Sequence, residues 1–363
     1  MNPKPERFGK GIRFISVMDI LNNAVITNDC IRASVDVSEE ELLSFCVENG
    51  DILFQRSSET LEDVGRANVY MDNKPAVFGG FVIRGKKKAE YNPLFFRYLL
   101  ASPFARKKII PMGAGAQHFN IGQEGLNKVK LHFALLDEQK KIARLLSLLD
   151  ERIAIQNKII DKLQSLIKGI SNRLLYADNS MSIRIEEMLI ERSERTKKNN
   201  QYEILSSTVN GIFSQRDYFS KDIASDNNVG YKIIHLHDIV LSPQNLWMGN
   251  INFNDKFDIG IVSPSYKVFS IADGFDKKYV AALLKTHHAL YNYMLVSEQG
   301  ASIVRRNLNY EAFEQLVFKI PSLNKQQEIG HVISLLKSQL ENANLLIKTY
   351  NSQKQYLFRQ MFI

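Results

Sequence analysis

SLLDERIAIQNKII at Ser147–Ile160 and SLLKSQLENANLLI at Ser334–Ile347 are one amphipathic phrase written twice, 187 positions apart. Self-similarity at a fixed offset decides the architecture, so it is followed outward before any local element is read. With the sequence slid on itself by 187, residues 113–176 lie on residues 300–363 without a gap. GAGAQHFN meets GASIVRRN, so Gly113, Ala114 and Asn120 match Gly300, Ala301 and Asn307. Gln139 meets Gln326, Ile142 meets Ile329, and Asn157 meets Asn344.

Upstream the match continues more faintly. GDILFQRS at Gly50–Ser57 lies on HDIVLSPQ at His237–Gln244. Gly65 and Asn68 correspond to Gly249 and Asn252 after a small length change, and GGFVIR at Gly79–Arg84 resembles PSYKVF at Pro264–Phe269. NPLFFRYLLAS and KKYVAALLKTH then supply an amphipathic helix in each copy. The unit is a mixed α/β domain followed by a long helix, and it occurs twice. A period this long means domain duplication rather than a solenoid.

Between Asp137 and Tyr176 there is no proline and one glycine, Gly169. Ile142, Leu145, Leu149, Ile153, Gln156, Ile160, Leu163, Ile167, Ile170 and Leu174 step by threes and fours, as a coiled-coil seam does. Ile329, Val332, Leu336, Leu340, Ala343, Ile347, Tyr350, Lys354, Leu357 and Met361 form the second grid. Each helix would extend about 60 Å. Two such stripes in one chain find their simplest partner in each other, packed antiparallel. The expected fold is therefore α/β, with two duplicated domains at 1–136 and 177–323 and long helices at 137–176 and 324–363. Two core helices of one larger fold are the plainer alternative, which the repetition of the flanking domains disfavours.

A chain of 363 residues suits about two domains. Lys plus Arg number 47 against 39 Asp plus Glu, a net charge of +8, which permits a polyanionic partner without requiring one. Two cysteines, Cys30 and Cys46, do not make a disulfide framework or a thiolate metal site. No apolar run approaches the roughly 18 residues that cross a bilayer, and MNPKPERFGKGIRF lacks the apolar core of a secretion signal. A reducing cytoplasm is expected.

Catalytic signatures reduce to decoys. SPSY at Ser263–Tyr266 resembles an adenine-methyltransferase motif, but Ser265 replaces its second proline and no glycine-rich donor loop precedes it. Glu138 and Lys140 echo part of a nuclease site, yet acidic residues in a first helical turn favour the helix dipole. His235, His237 and Asp238 lie on a strand pattern without a third ligand, and the adjacent His287 and His288 diverge on a helix. No phosphate loop or nucleophile elbow is present. The chain reads as a binder without a catalytic or metal site of its own.

The order of these features resembles the DNA-specificity subunit of type I restriction–modification enzymes. The resemblance covers essentially the whole chain. It is carried by Gly113-Ala114 with Asn120, Leu136-Asp137-Glu138-Gln139 with Ile142, Leu323-Asn324-Lys325-Gln326 with Ile329, and the strands at Asp51 and Asp238. No single motif is specific; the order and the duplication are. The resemblance implies two target-recognition domains, each reading half of a bipartite double-stranded DNA target. It implies helices that set the spacer and dock two methyltransferase subunits, with S-adenosylmethionine bound there and not here. Restriction–translocase subunits would join that core. A self-contained DNA adenine methyltransferase, or a fragment of one, is the alternative; a coiled-coil adaptor without DNA is a third.

Two departures follow. The junction KLHFALLDEQ has no proline, and KIPSLNKQQ keeps only Pro321. The second domain has a lead-in segment, Ser182–Gln201, before ILSSTVNG, whereas only MNPKPERFGK precedes the matching FISVMDIL, so the first domain is expected to lack an edge strand.

DNA contact is expected from loops of the repeat unit. Gln117 and His118 in one Gly-Ala loop face Arg305 and Arg306 in the other, different side chains at equivalent positions, as two different half-sites require. Gln55, Arg56 and Ser57 follow the first Asp strand; Gln244 and Asn245 follow the second. Arg and Gln suit guanine and adenine edges. Arg84, Lys86, Lys87 and Lys88, with Arg106, Lys107 and Lys108, are candidate phosphate contacts, which supply affinity rather than sequence.

Overall fold

The computed structural model describes residues 1–174, 181–218, 227–299 and 306–362, with residues 171–174 as backbone only. Gly300, Ala301, Arg305 and the Leu174 side chain lie outside the described residues. The fold is mixed α/β with two long helices, Leu136–Leu174 and Leu323–Met361. Two compact units form: Met1–Asn157 with Leu345–Ile363, and Lys158–Asn344. Each unit thus takes a part of both long helices.

In unit 1 the strand Ile52–Gln55 lies between Ala67–Val69 and Val82–Gly85, antiparallel to both. In unit 2 Ile239–Leu241 lies likewise between Ile251–Phe253 and Lys267–Ile271. Leu53 opposes Asn68 and Arg84, while Val240 opposes Asn252 and Val268. The Asn68–Asn252 correspondence therefore holds. Arg84 takes the place of Val268, one position from the Phe269 that sequence comparison paired with it. Side chains alternate faces along a strand, so a slip of one exchanges the faces, and only the ladder fixes it. Gly65 and Gly249 both adopt the left-handed φ that glycine permits, at +67° and +94°.

Unit 1 has a second sheet in the order Ala33–Val35, Phe8–Ile15, Ala76–Phe78, Cys46–Val47, with the central pair parallel. The units differ at one edge. In unit 2 Leu189–Glu191 extends the sheet beside Lys267–Ile271, and Met181–Arg184 pairs with Val317–Ile320. Among the described residues, Val82–Gly85 is a sheet edge in unit 1 and residues 130–133 form no strand. Ile320 is wholly buried, whereas its counterpart Phe133 is 58% exposed.

The domain helices Pro93–Ala101 and Lys277–Leu283 show how each domain joins its long helix. Their caps, Asn92 and Asp276, accept the backbone N–H groups of Phe95 and Tyr279, as short polar caps do. The cap's own N–H donates to the amide oxygen of Gln139 at 2.9 Å in unit 1, and of Gln326 at 3.1 Å in unit 2. The other end of each glutamine donates to the chain just before the helix, at Ala134 O and Pro321 O. The duplicated glutamine is a buried clip.

Packing within each unit runs the long helices antiparallel. Ala143 and Leu146 cluster with Leu357, Phe358, Met361 and Phe362 in unit 1; Ile170 packs against the cluster holding Ile329 and Ile333 in unit 2. Hence the start of one helix meets the end of the other. The expected seam needs one correction in both copies. Leu145 and Val332 are exposed, and Leu146 and Ile333 are buried in their stead. At these helix starts the buried stripe must also face the domain helix, through Phe95, Tyr98 and Leu99 or through Tyr279 and Leu283, which rotates it by a residue.

Candidate nucleic-acid interface

The structure brings together the two loops singled out in unit 1. The short strand Ser57–Ser58 pairs antiparallel with Phe119–Asn120, and Ile121 N donates to Arg56 O at 2.9 Å. The Ser57 hydroxyl also donates to Asn120 Oδ1. An Ala114–Asn120 bridge closes the Gly-Ala loop, leaving Gln117 and His118 exposed at its tip. Gly115 supplies the left-handed φ the tip needs, and a Cβ there would strike His118 O. Asn120 is thus the latch between the loops of unit 1, whereas its counterpart Asn307 lies on a strand opposite Glu298.

In unit 2 the corresponding segments also meet, but Arg306–Leu308 pairs with Ser297–Gln299 rather than with the loop after the Asp strand. Arg306 N donates to Gln244 O at 3.1 Å, joining the loop after the second Asp strand to the strand Arg306–Leu308. Gln244 is exposed and Asn245 half-buried. The Arg306 guanidinium lies 4.8 Å from the Trp247 ring centroid, and Nη1 reaches Met294 O at 3.4 Å. Such stacking pre-organises the planar guanidinium fork.

Not every candidate is exposed. Gln55 is 4% exposed and its amide donates to Ser57 O, so it braces the loop from inside. Arg56 is exposed beside it, and Ser57 is half-buried in the latch. Arg84 is half-buried over the Phe78 ring, while Lys86, Lys87 and Lys88 are exposed. Arg106 turns inward: its Nη2 donates to Glu62 O and Val64 O, and burial lowers its pKa. Lys108 donates to Lys130 O and covers Phe104, leaving Lys107 as the exposed member of that triplet.

The strand aspartates are structural. Asp51 and Asp238 are buried, and each carboxylate accepts the backbone N–H three residues earlier, of Glu48 and His235. Burial raises both pKa values, while those N–H bonds oppose the rise. Asp238 also pairs with Arg192 at 3.0 Å, so HLHD is a turn held by its own aspartate, and His235 contacts Glu194. In SPSY, the Tyr266 hydroxyl is committed to Ser207 O at 3.0 Å. Gly-Gly-Phe81 was not singled out from the sequence. Phe81 is 65% exposed next to Arg56, whose N–H its carbonyl accepts. Trp247 was also missed; its status as the single tryptophan, in the loop after Gln244, was the available signal.

Among the described residues no group of three or more His, Cys, Asp or Glu could hold a metal ion, and no helix is long and apolar enough to cross a membrane.

Residues 2–165 match the family model of the type I restriction modification DNA specificity domain. A putative type I restriction enzyme MjaX specificity subunit from Methanocaldococcus jannaschii is 29% identical over 143 residues, 38% of this chain and 33% of that protein. The chain thus matches about a third of the length of this curated relative. The crystal structure of the S subunit of a type I restriction-modification system from M. genitalium is similar in fold. Its TM-score is 0.56 at 13% identity, covering 98% of this chain and 93% of that one.

Proposed function

We propose that this chain, whose residues 2–165 match the family model of the type I restriction modification DNA specificity domain, is the non-catalytic, sequence-specific DNA-binding subunit of a type I restriction–modification complex. Residues 1–136 and 177–323 are its two target-recognition domains, and each reads one half of a bipartite target. One observation carries this reading. The same pair of loops meets in both units, through a short strand pair in one and a backbone hydrogen bond in the other, with Arg56, Gln117 and His118 in one copy and Gln244, Asn245 and Arg306 in the other. A shared scaffold with different polar side chains is what two different half-sites demand, because base edges are discriminated by the donors and acceptors offered to them. Lys86, Lys87, Lys88 and Lys107 supply phosphate contacts, and Arg305 joins Arg306 as a reader.

The long helices dock two methyltransferase subunits, which hold S-adenosylmethionine, and restriction–translocase subunits join them. Support comes from a second apolar stripe. Leu145, Leu148, Ile155, Ile159 and Leu166 on the first long helix are exposed, as are Leu335, Leu345, Leu346 and Tyr356 on the second. Contiguous exposed apolar surface marks an interaction site.

The test is selection of bound duplexes from a randomised library by the chain assembled with its methyltransferase subunits. Two fixed half-sites separated by an unspecified spacer of constant length are expected. One contiguous motif, or no enrichment, overturns the reading.

A further inference from the structure

A cavity of similar size occurs in each unit beside the domain helix: about 310 Å³ in unit 1, where the second long helix also lines it, and about 300 Å³ in unit 2, where both long helices do. The caps Asn92 and Asp276 align the domain helices, so Arg97, Tyr98 and Ala101 correspond to Ala281, Ala282 and Lys285. Along the long helices the offset of 187 pairs Asp150 with Lys337, and Lys354 and Gln355 with Ile167 and Lys168. Tyr98, Ala101 and Lys354 line the first cavity, and their counterparts Ala282, Lys285 and Ile167 line the second. The two cavities therefore share these three positions and differ in the rest of their lining.

Their electrostatics differ. In unit 1 Asp150 is an anion at the hub of three donors. Tyr98 donates to it at 2.8 Å, Arg97 lies at 3.6 Å, and Lys354 donates to its other oxygen. In unit 2 the hub position carries Lys337, and the three donors have become Ala282, Ala281 and Ile167. Lys168 and Lys285 have been added, so the cavity is lined by three lysines, with Gln164, Thr286 and His287, and by no carboxylate. Charge at the hub is reversed, large side chains are replaced by small ones, and space remains. Asp255 and Glu341 approach Lys337 from its far side, where Glu341 also pairs with Lys256. Lys285 donates to Asn252 Oδ1 and Val209 O, which leaves its charge without a carboxylate.

We infer that the unit 2 cavity binds a phosphate group, an external anion beside Lys337, which stands where unit 1 has Asp150. Lysines are compact charges with several donors each, suited to the many acceptor oxygens of phosphate. Burial, with the charge of Lys337 added, pushes the Lys285 pKa down to about 8. Lys168, His287 and Lys337 are the other titratable groups lining the cavity, with Asp255 and Glu341 behind Lys337. An anion among these cations must raise that pKa. The inference is independent of the reading of the recognition loops. The phosphate can be free inorganic phosphate or part of a nucleic-acid backbone, and the chemistry is the same.

The test uses the full chain. Calorimetric titration with inorganic phosphate is run at pH 7 and constant ionic strength against chloride. Two variants write unit 1 residues into unit 2: Lys337→Asp, which restores the internal anion, and Lys168→Gln, an exposed change that leaves the fold alone. Saturable binding is expected in the parent chain. It should be lost in Lys337→Asp and weakened about tenfold in Lys168→Gln, the scale of one charge-assisted hydrogen bond. NMR of the Lys285 ammonium should show its pKa rising with phosphate. If the backbone of DNA is the source, the same variants weaken duplex binding at every sequence and lower its salt dependence by about one charge; if free phosphate is the source, duplex binding is unchanged while phosphate binding is lost. Binding of phosphate undiminished in both variants overturns the inference, as does a parent chain that takes up neither phosphate nor DNA through these lysines.

Discussion

Gln139 and Gln326 show why a residue recurs at the same place in both copies. Each amide spans two backbone groups that nothing else satisfies, one at a helix cap and one at the preceding turn. Gln139→Ala is expected to destabilise unit 1 by about 1–3 kcal/mol, because the Asn92 N–H is left buried without an acceptor. Gln326→Ala should act equally on unit 2, and urea unfolding measures both. The loops proposed to read DNA obey a different rule, in which the position recurs and the exposed side chains vary. Arg306→Ala should weaken binding at one half-site alone by about 1–3 kcal/mol, the scale of a lost bidentate base contact. Equal weakening at both half-sites, measured with half-site variants of the selected duplex, would make Arg306 a general phosphate contact. At the open edge of unit 1, Gly85, Lys86 and Lys87 stand where unit 2 has Phe269, Ser270 and Ile271 under an added strand, as the ladders count them. Lysines at a bare edge deter pairing with other chains, so this run has a structural use beside phosphate contact.

At the scale of the element, each long helix has two apolar faces, and only one is used within the chain. Heptad spacing identified a stripe, but a helix that packs both on a domain and on its twin carries more apolar residues than one seam holds. The domain helix claims Leu146 and Ile333, so Leu145 and Val332, which fit the grid, are exposed. Changing Ile155 and Leu166 to Lys should abolish co-purification with methyltransferase subunits. Exposed sites change stability by about 0.5 kcal/mol or less, so the thermal midpoint should barely move. Retention of the partners by this variant would place docking elsewhere.

For the whole molecule, the division of each long helix after Asn157 and Asn344 has a practical consequence. Seven residues inserted at both points add a helical segment without removing any contact inside either unit. The segment is about 10 Å long, and a heptad returns the stripes to within about 20° of phase. If the helices set the separation of the half-sites, the preferred spacer should grow by about three base pairs of 3.4 Å each, with the half-site sequences unchanged. Selection from a library of varied spacers reads this directly. An unaltered spacer in a folded, DNA-binding variant would leave the helices with docking alone.

The sequence by itself determined the duplication, the α/β character of each copy and the two long helices, because these follow from periodicity and from matches at constant offset. It also located the loops, through glycines and polar residues at equivalent positions. Only the tertiary structure decided which loop residues face outward. Gln55 and Arg106 look like readers or phosphate contacts in sequence, yet both are spent on backbone carbonyls inside the fold. Hydrogen bonds to the main chain leave no sequence signature, since every residue offers the same acceptor. The strand register beside Arg84 and the one-residue turn of the long-helix seam were decided there too. Each depends on which neighbouring surface a face must meet, and a pattern along one chain does not contain that.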